Sequence, residues 1–303
     1  MQEFFCDLLQ KDGHTTRVHI YQCDEQPKGS LLMLHSMAEH EGRYREFAEY
    51  MVSQGYDFYC YNLRGHGSDA EVQGHIADRG GQNIIVEDAI NVAKYVQDTS
   101  RGEKMILMGQ GFGSILARNV IQHKDDFDAV ILSGTAAFDR HTAYTNLAVT
   151  KTIAAEKGPR AYSDYVTKRF FRGKDFQAVC TESPFDWISA DKENLARYVK
   201  DPYAGFPCTV QFYHDLTSLI LFGGQKEKIA RTRRSLPIFF LSGAMDPVGG
   251  LGRQVTALYH TFLSLGFQKV SCKLYENDRH EILNEQDRET VMHDISDWLD
   301  KIL

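Results

Sequence analysis

Nowhere in these 303 residues does an apolar run approach the ~18 that a membrane-spanning helix requires. The chain is equally short of basic blocks: its net charge is −7, and no Lys/Arg cluster offers a nucleic-acid surface. The N-terminal stretch, Met1 to Asp7, has no basic region followed by an apolar core, so it does not read as a signal peptide. Only six cysteines occur, and none form a Cys-x-x-Cys pair. That speaks against a disulfide framework or a zinc site, and for reduced thiols in a cytoplasmic protein. What remains is ordinary for a globular protein with a large core, 43% hydrophobic and 25% charged.

Buried strands and amphipathic helices alternate along the first 136 residues. Two short runs, 3–9 and 16–22, flank a Lys11-Asp12-Gly13-His14 turn and suit an antiparallel hairpin. Ser30 to Leu34 is apolar without alternation, as in a strand covered on both faces. Tyr44, Phe47, Ala48, Met51 and Val52 make one face of a helix, and Tyr56 to Tyr61 follows as a strand. Val86, Ala89, Ile90, Ala93 and Val96 mark another helix. Met105 to Met108 and Ala129 to Gly134 read as further strands. This is the pattern of βαβ units on a mostly parallel sheet.

The alternation stops at about residue 137 and resumes at 235. Between them the composition turns aromatic and charged, with helical patterns and no strong strand. Lys151 to Arg172 and Asp191 to Tyr203 read as helices. Residues 137–234 are therefore expected to be an inserted helical cap with its return path. Residues 1–136 and 235–303 would be the two parts of one α/β core. Ile238 to Ser242, a helix near 250–265, Lys269 to Tyr275 and a final amphipathic helix complete it.

The stretch Met105-Ile106-Leu107-Met108-Gly109-Gln110-Gly111-Phe112-Gly113 is the most informative. A strand turning into a helix through Gly-x-Ser-x-Gly is the nucleophile elbow of an α/β-hydrolase. Here the middle position is Gly111. The other parts of acyl-transfer machinery have candidates: Asp246 in Ser242-Gly243-Ala244-Met245-Asp246-Pro247, and His280 in Asp278-Arg279-His280-Glu281. Both follow core strands, where open α/β sheets place their sites, and chain order runs nucleophile, acid, histidine. The N–H groups of Met37 and Phe112 are candidate oxyanion donors, with His35, Ser36 and Gln110 supporting them. Gly109-x-Gly111-x-x-Ser114 is also a near miss to a dinucleotide-binding turn, but it lacks the third glycine and lies too far into the sheet. No metal or organic cofactor is called for.

His35-Ser36-Met37-Ala38-Glu39-His40, Arg64-Gly65-His66-Gly67-Ser68, the elbow, Ser242 to Gly249 and Arg279 to Glu285 together resemble the monoacylglycerol lipase and lysophospholipase family. Pro184 to Ser189 and Asp201 to Phe206 resemble the cap of its bacterial members. The resemblance runs from about residue 20 to the C-terminus. It implies a serine esterase fold, an acyl-ester or lipid substrate, and a cap able to touch a membrane surface. It assigns Asp246 and His280 to a triad, and Met37 and Phe112 to the oxyanion hole.

Two departures stand out. The family has His-Gly-x where this chain has His35-Ser36-Met37, and a serine where this chain has Gly111. Ser114 lies a helical turn beyond the elbow and Ser36 lies on a different loop, so neither is expected to replace the missing hydroxyl. Loss of a triad nucleophile costs about 10⁶ in kcat. The expectation is a disarmed esterase. A deliberate exchange in an active hydrolase and a natural non-catalytic homologue that binds acyl ligands or partners both fit.

Overall fold

A computed structural model describes residues 1–303. Eight strands form one sheet: β1 (Gln2–Leu9), β2 (Thr15–Gln22), β3 (Gly29–Leu34), β4 (Tyr56–Tyr61), β5 (Met105–Gln110), β6 (Ala129–Ser133), β7 (Ile238–Gly243) and β8 (Val270–Tyr275). Their spatial order is β1-β2-β4-β3-β5-β6-β7-β8. The first two are antiparallel, β2 meets β4 antiparallel, and every later pairing is parallel. β3 to β7 are buried on both faces, which is why their sequences are continuous apolar runs.

Helices α1 (Arg45–Ser53), α2 (Gly81–Thr99) and α3 (Phe112–Val120) link the first half of the sheet. No strand lies between β6 and β7. That interval holds α4 (Arg140–Lys157), α5 (Asp164–Phe171), α6 (Lys174–Val179), α7 (Lys192–Lys200), α8 (Val210–Gly223) and α9 (Lys226–Ile229). The single helix expected over Lys151 to Arg172 is two. Gly158, at φ +90°, closes α4, and Pro159 follows where its ring could not continue the ladder. Asp139, Ser163, Asp191 and Thr209 each cap the helix they precede with a side-chain oxygen.

α8 differs from its neighbours. It is buried along most of its length and packs on α2, α3 and α4, so this part of the return path belongs to the core. Phe212, Leu216, Leu219 and Ile220 join Leu116 and Phe240 in the larger of two core layers. On the other face of the sheet, α1 and α11 (Arg288–Ile302) bury Phe47, Met51, Val291, Ile295 and Leu299. α10 (Arg253–Ser264) covers β7 and β8. A small separate cluster of Phe176, Val179, Trp187, Ile188 and Tyr198 holds the α6–α7 region together.

Candidate active site

Leu34 of β3 and Gly109 of β5 are register partners on adjacent parallel strands. Two residues further along each strand come Ser36 and Gly111. The sheet therefore sets these two residues beside each other at its carboxyl edge. Gly111 lies at φ +52°, ψ −114°, a conformation costly to any residue with a Cβ. Gly113 allows the first turn of α3 to approach β3: a Cβ there would overlap the carbonyl of Leu34. The strand-turn-helix expected from the glycine pattern is thus present, and glycine occupies its apex.

Asp246 follows β7 and His280 follows β8. The Nδ1–H of His280 donates to Asp246 Oδ2 at 2.9 Å, and Asp246 Oδ1 accepts the N–H of Val248 at 2.8 Å. Both side chains are shut away from bulk solvent, at 3% and 0% exposure. Burial is the largest single influence on the imidazole and lowers its pKa. The charge and hydrogen bond of Asp246, with Glu281 and Glu39 further off, together outweigh it and hold His280 above its ordinary value. Gln110 donates from Nε2 to the His280 carbonyl at 2.8 Å, so it pins the histidine loop to the elbow.

The donors named from the sequence flank the same place. Phe112 N–H points at the Oγ of Ser36, 3.3 Å away, while Met37 N–H has no acceptor in the protein. His35 is fixed in one tautomer: its Nδ1–H donates to the Ser36 carbonyl at 2.6 Å, and its Nε2 accepts the N–H of Leu63 at 2.8 Å. Burial drops its pKa to about 3, so it is a neutral loop support. His66 packs beneath, 5.2 Å from His35 between ring centroids, and its own burial lowers it to about 3. Ser114 donates to the Gly111 carbonyl at 2.6 Å and is turned back into the helix.

Sequence reasoning missed three features. The first is the place of Ser36. A Cβ on Gly111 would overlap Ser36 Oγ and lie 2.6 Å from His280 Nε2. The serine is buried and fills the space beside the glycine. The second is Trp187, whose ring centroid lies 5.2 Å from that of His280. The third is a buried charge cluster behind the site, in which Arg43 bridges Glu39 and Glu281. Glu39 also accepts the N–H of Ser36 and the hydroxyl of Tyr44. The contacts of Glu39 are local to its own loop, whereas the Arg43–Glu281 bridge joins segments far apart in the chain.

A cavity of about 290 Å³ opens over Ser36, Gly111 and His280, walled by Phe112, Ile115, Phe138, Phe170, Leu216 and Ile220 among others. A second cavity of about 470 Å³ lies against it, with Met37, Phe171, Phe176 and Trp187 lining both. The walls are mostly apolar, and polar groups converge at one end, the usual construction of a small-molecule site.

Sheet order, elbow and acid–histidine pair define an α/β-hydrolase. More particularly, residues 25–287 match the serine aminopeptidase S33 family, and the chain belongs to it. It is 24% identical over 289 residues to a monoacylglycerol lipase of Mycolicibacterium smegmatis, covering 92% of this chain and 91% of that one. It is also 24% identical over 278 residues to a monoglyceride lipase homolog of Monkeypox virus, covering 90% of each. Among solved structures, a thermostable carboxyl esterase from Bacillus coagulans superposes with a TM-score of 0.91 at 24% identity, over 100% of this chain and 99% of that one. A monoglyceride lipase from Saccharomyces cerevisiae does so with a TM-score of 0.77 at 18% identity, over 99% and 95%. The scaffold is that of a monoacylglycerol lipase-like hydrolase.

Proposed function

We propose that this chain binds small acyl esters of the monoacylglycerol or lysophospholipid type at the Asp246–His280 pair, with no nucleophile on its elbow. The observation that carries the reading is the opening of His280 Nε2, free of any protein partner, into an apolar cavity beside the N–H of Met37. An acyl chain suits the aromatic walls, and an ester carbonyl suits the polar end. Gly111 has no atom to attack with, so the ordinary elbow-serine route to hydrolysis is closed. The M. smegmatis and Monkeypox virus relatives support a glyceride-class ligand.

No helix is long and apolar enough to cross a membrane. Exposed Tyr144, Tyr162 and Tyr165 in the 137–234 insertion support peripheral contact with a lipid surface, from which such a ligand would come. All six cysteines are unpaired, which supports a reducing compartment such as the cytoplasm.

Titration with a non-hydrolysable 1-O-alkylglycerol, read by tryptophan fluorescence, tests the reading. Trp187 lines both cavities, and Trp298 packs on Phe239 far from them. A saturable change that W187F removes, and that glycerol alone does not produce, is expected. No change up to the solubility limit of the ether would overturn it.

A further inference from the structure

We propose that Ser36, on the loop after β3, is the acyl-accepting nucleophile of this protein, with His280 as its base. The proposal rests on the acyl-ester reading of the site and adds the chemistry that Gly111 cannot supply.

Three observations carry it. First, the sheet register sets Ser36 and Gly111 side by side, and the absent side chain of Gly111 is what makes room for the hydroxyl. Second, the two reacting groups are unsatisfied and converge. Ser36 Oγ accepts from Phe112 N–H but donates to nothing, and His280 Nε2 has no partner. A point where a Cβ on residue 111 would stand is 2.6 Å from Nε2 and within overlap of Oγ. The two atoms are not hydrogen-bonded in the free protein; contacts between nucleophile and base are often long before substrate closes them.

Third, Ser36 is held as an oriented group, not as a loose loop residue. Its N–H donates to Glu39, its carbonyl accepts from His35, and its side chain is buried at the wall of the cavity. Ser114, on the elbow helix, is already committed to the Gly111 carbonyl. An orienting acid, a base, a hydroxyl and a free N–H donor are thus all present, though the hydroxyl enters from the neighbouring loop.

The steps balance as in any serine esterase. Ser36 Oγ forms a bond to the acyl carbon as its proton passes to His280 Nε2. The carbonyl oxygen, now negative, takes the N–H of Met37. Collapse breaks the bond to the alcohol oxygen, which receives the proton from Nε2. Water then attacks the acyl-Ser36 ester, giving its proton to Nε2, and the proton returns to Ser36 Oγ as the acid leaves.

The test is active-site labelling of the full chain with a fluorophosphonate, read by intact mass and peptide mapping, together with turnover of p-nitrophenyl butyrate. Wild type, S36A and the exchange variant S36G/G111S are compared. The expected result is a single adduct on Ser36 of the wild type, none in S36A, and a loss of turnover in S36A of at least about 10³-fold. S36A should keep its melting temperature within a few degrees; if it does not fold, the position of the adduct in the wild type decides alone. An unlabelled, inactive wild type beside an S36G/G111S variant labelled at residue 111 would overturn the role of Ser36 and leave the acyl-ester reading standing. Failure of both proteins to label or turn over would overturn Ser36 as a nucleophile. The alkylglycerol titration would then decide the binding reading separately.

Discussion

His280 Nδ1 lies 2.9 Å from Asp246 Oδ2, and neither side chain shares that contact with bulk solvent. The carboxylate does more than orient the ring. Without it, burial alone would push the imidazole below its ordinary value, whereas with it His280 sits above. A folded-state pKa above the unfolded one gives stability that is fully present below the unfolded value. It is lost as pH rises through the folded value. D246N should therefore lower the melting temperature more at pH 5.5 than at pH 9. In NMR titration the His280 imidazole of D246N should ionise below 6.5, against above it in the wild type. Equal destabilisation at both pH values would contradict this account of the pair.

Gly111 makes a separate prediction about strain. Its φ of +52° with ψ −114° costs a residue with a Cβ on the order of 1–3 kcal/mol, and the new Cβ would also overlap Ser36 Oγ. G111A should thus destabilise by that amount or more in urea unfolding. S36G/G111A should relieve the overlap with Ser36 and retain both the backbone cost and the 2.6 Å approach to His280 Nε2. The same geometry means that G111S alone is a poor repair of the elbow, because two hydroxymethyl groups would compete for one space. If G111A proves neutral, the elbow is not strained as described.

Much of the fold is legible in the sequence. Continuous apolar runs located β3 to β7, because strands covered on both faces need no polar alternation. The glycines at 109, 111 and 113 located the elbow, because only a sharp strand-to-helix turn packed against β3 needs them. The place of Ser36 was not legible for a physical reason: its position beside Gly111 depends on the pairing of Leu34 with Gly109, a register between strands that are distant in the chain. Trp187 reaches His280 through a long insertion whose path no local pattern encodes. The break between α4 and α5, by contrast, was signalled by Gly158-Pro159, and only the helical periodicity on either side obscured it.

Arg43 is the next place to test. It joins Glu39 behind Ser36 to Glu281 beside His280, and its guanidinium also stacks on Tyr198 of α7 at 4.9 Å. All three charged side chains are nearly solvent-free, at 8%, 1% and 3% exposure. Removing the cation alone would leave two buried carboxylates facing each other, and breaking such a pair typically costs about 3–5 kcal/mol. R43M should lose stability on that order in urea unfolding. R43M/E281Q should recover part of it by removing one of the stranded charges. A cost of only a few tenths would mean the cluster is solvated in solution.

Asp278 precedes the histidine loop and is buried beside Asp287. Burial first, and then the hydrogen bond and negative charge of Asp287 with Glu285 further off, raise it from the usual carboxylate range to about 8. Its Oδ2 has no hydrogen-bond partner. The folded state therefore holds a proton that the unfolded chain releases at acidic pH. Stability is lost as pH climbs from the ordinary carboxylate range through about 8. D278N keeps the shape and cannot ionise, so it should flatten that decline. In thermal melts the variant should gain on the wild type between pH 6 and pH 9 and differ little near pH 4. The Asp278 carbonyl also accepts the N–H of Met245, a backbone bond that ties the histidine loop to the loop that carries Asp246. Parallel pH–stability curves for the two proteins would show that Asp278 is already ionised in the fold.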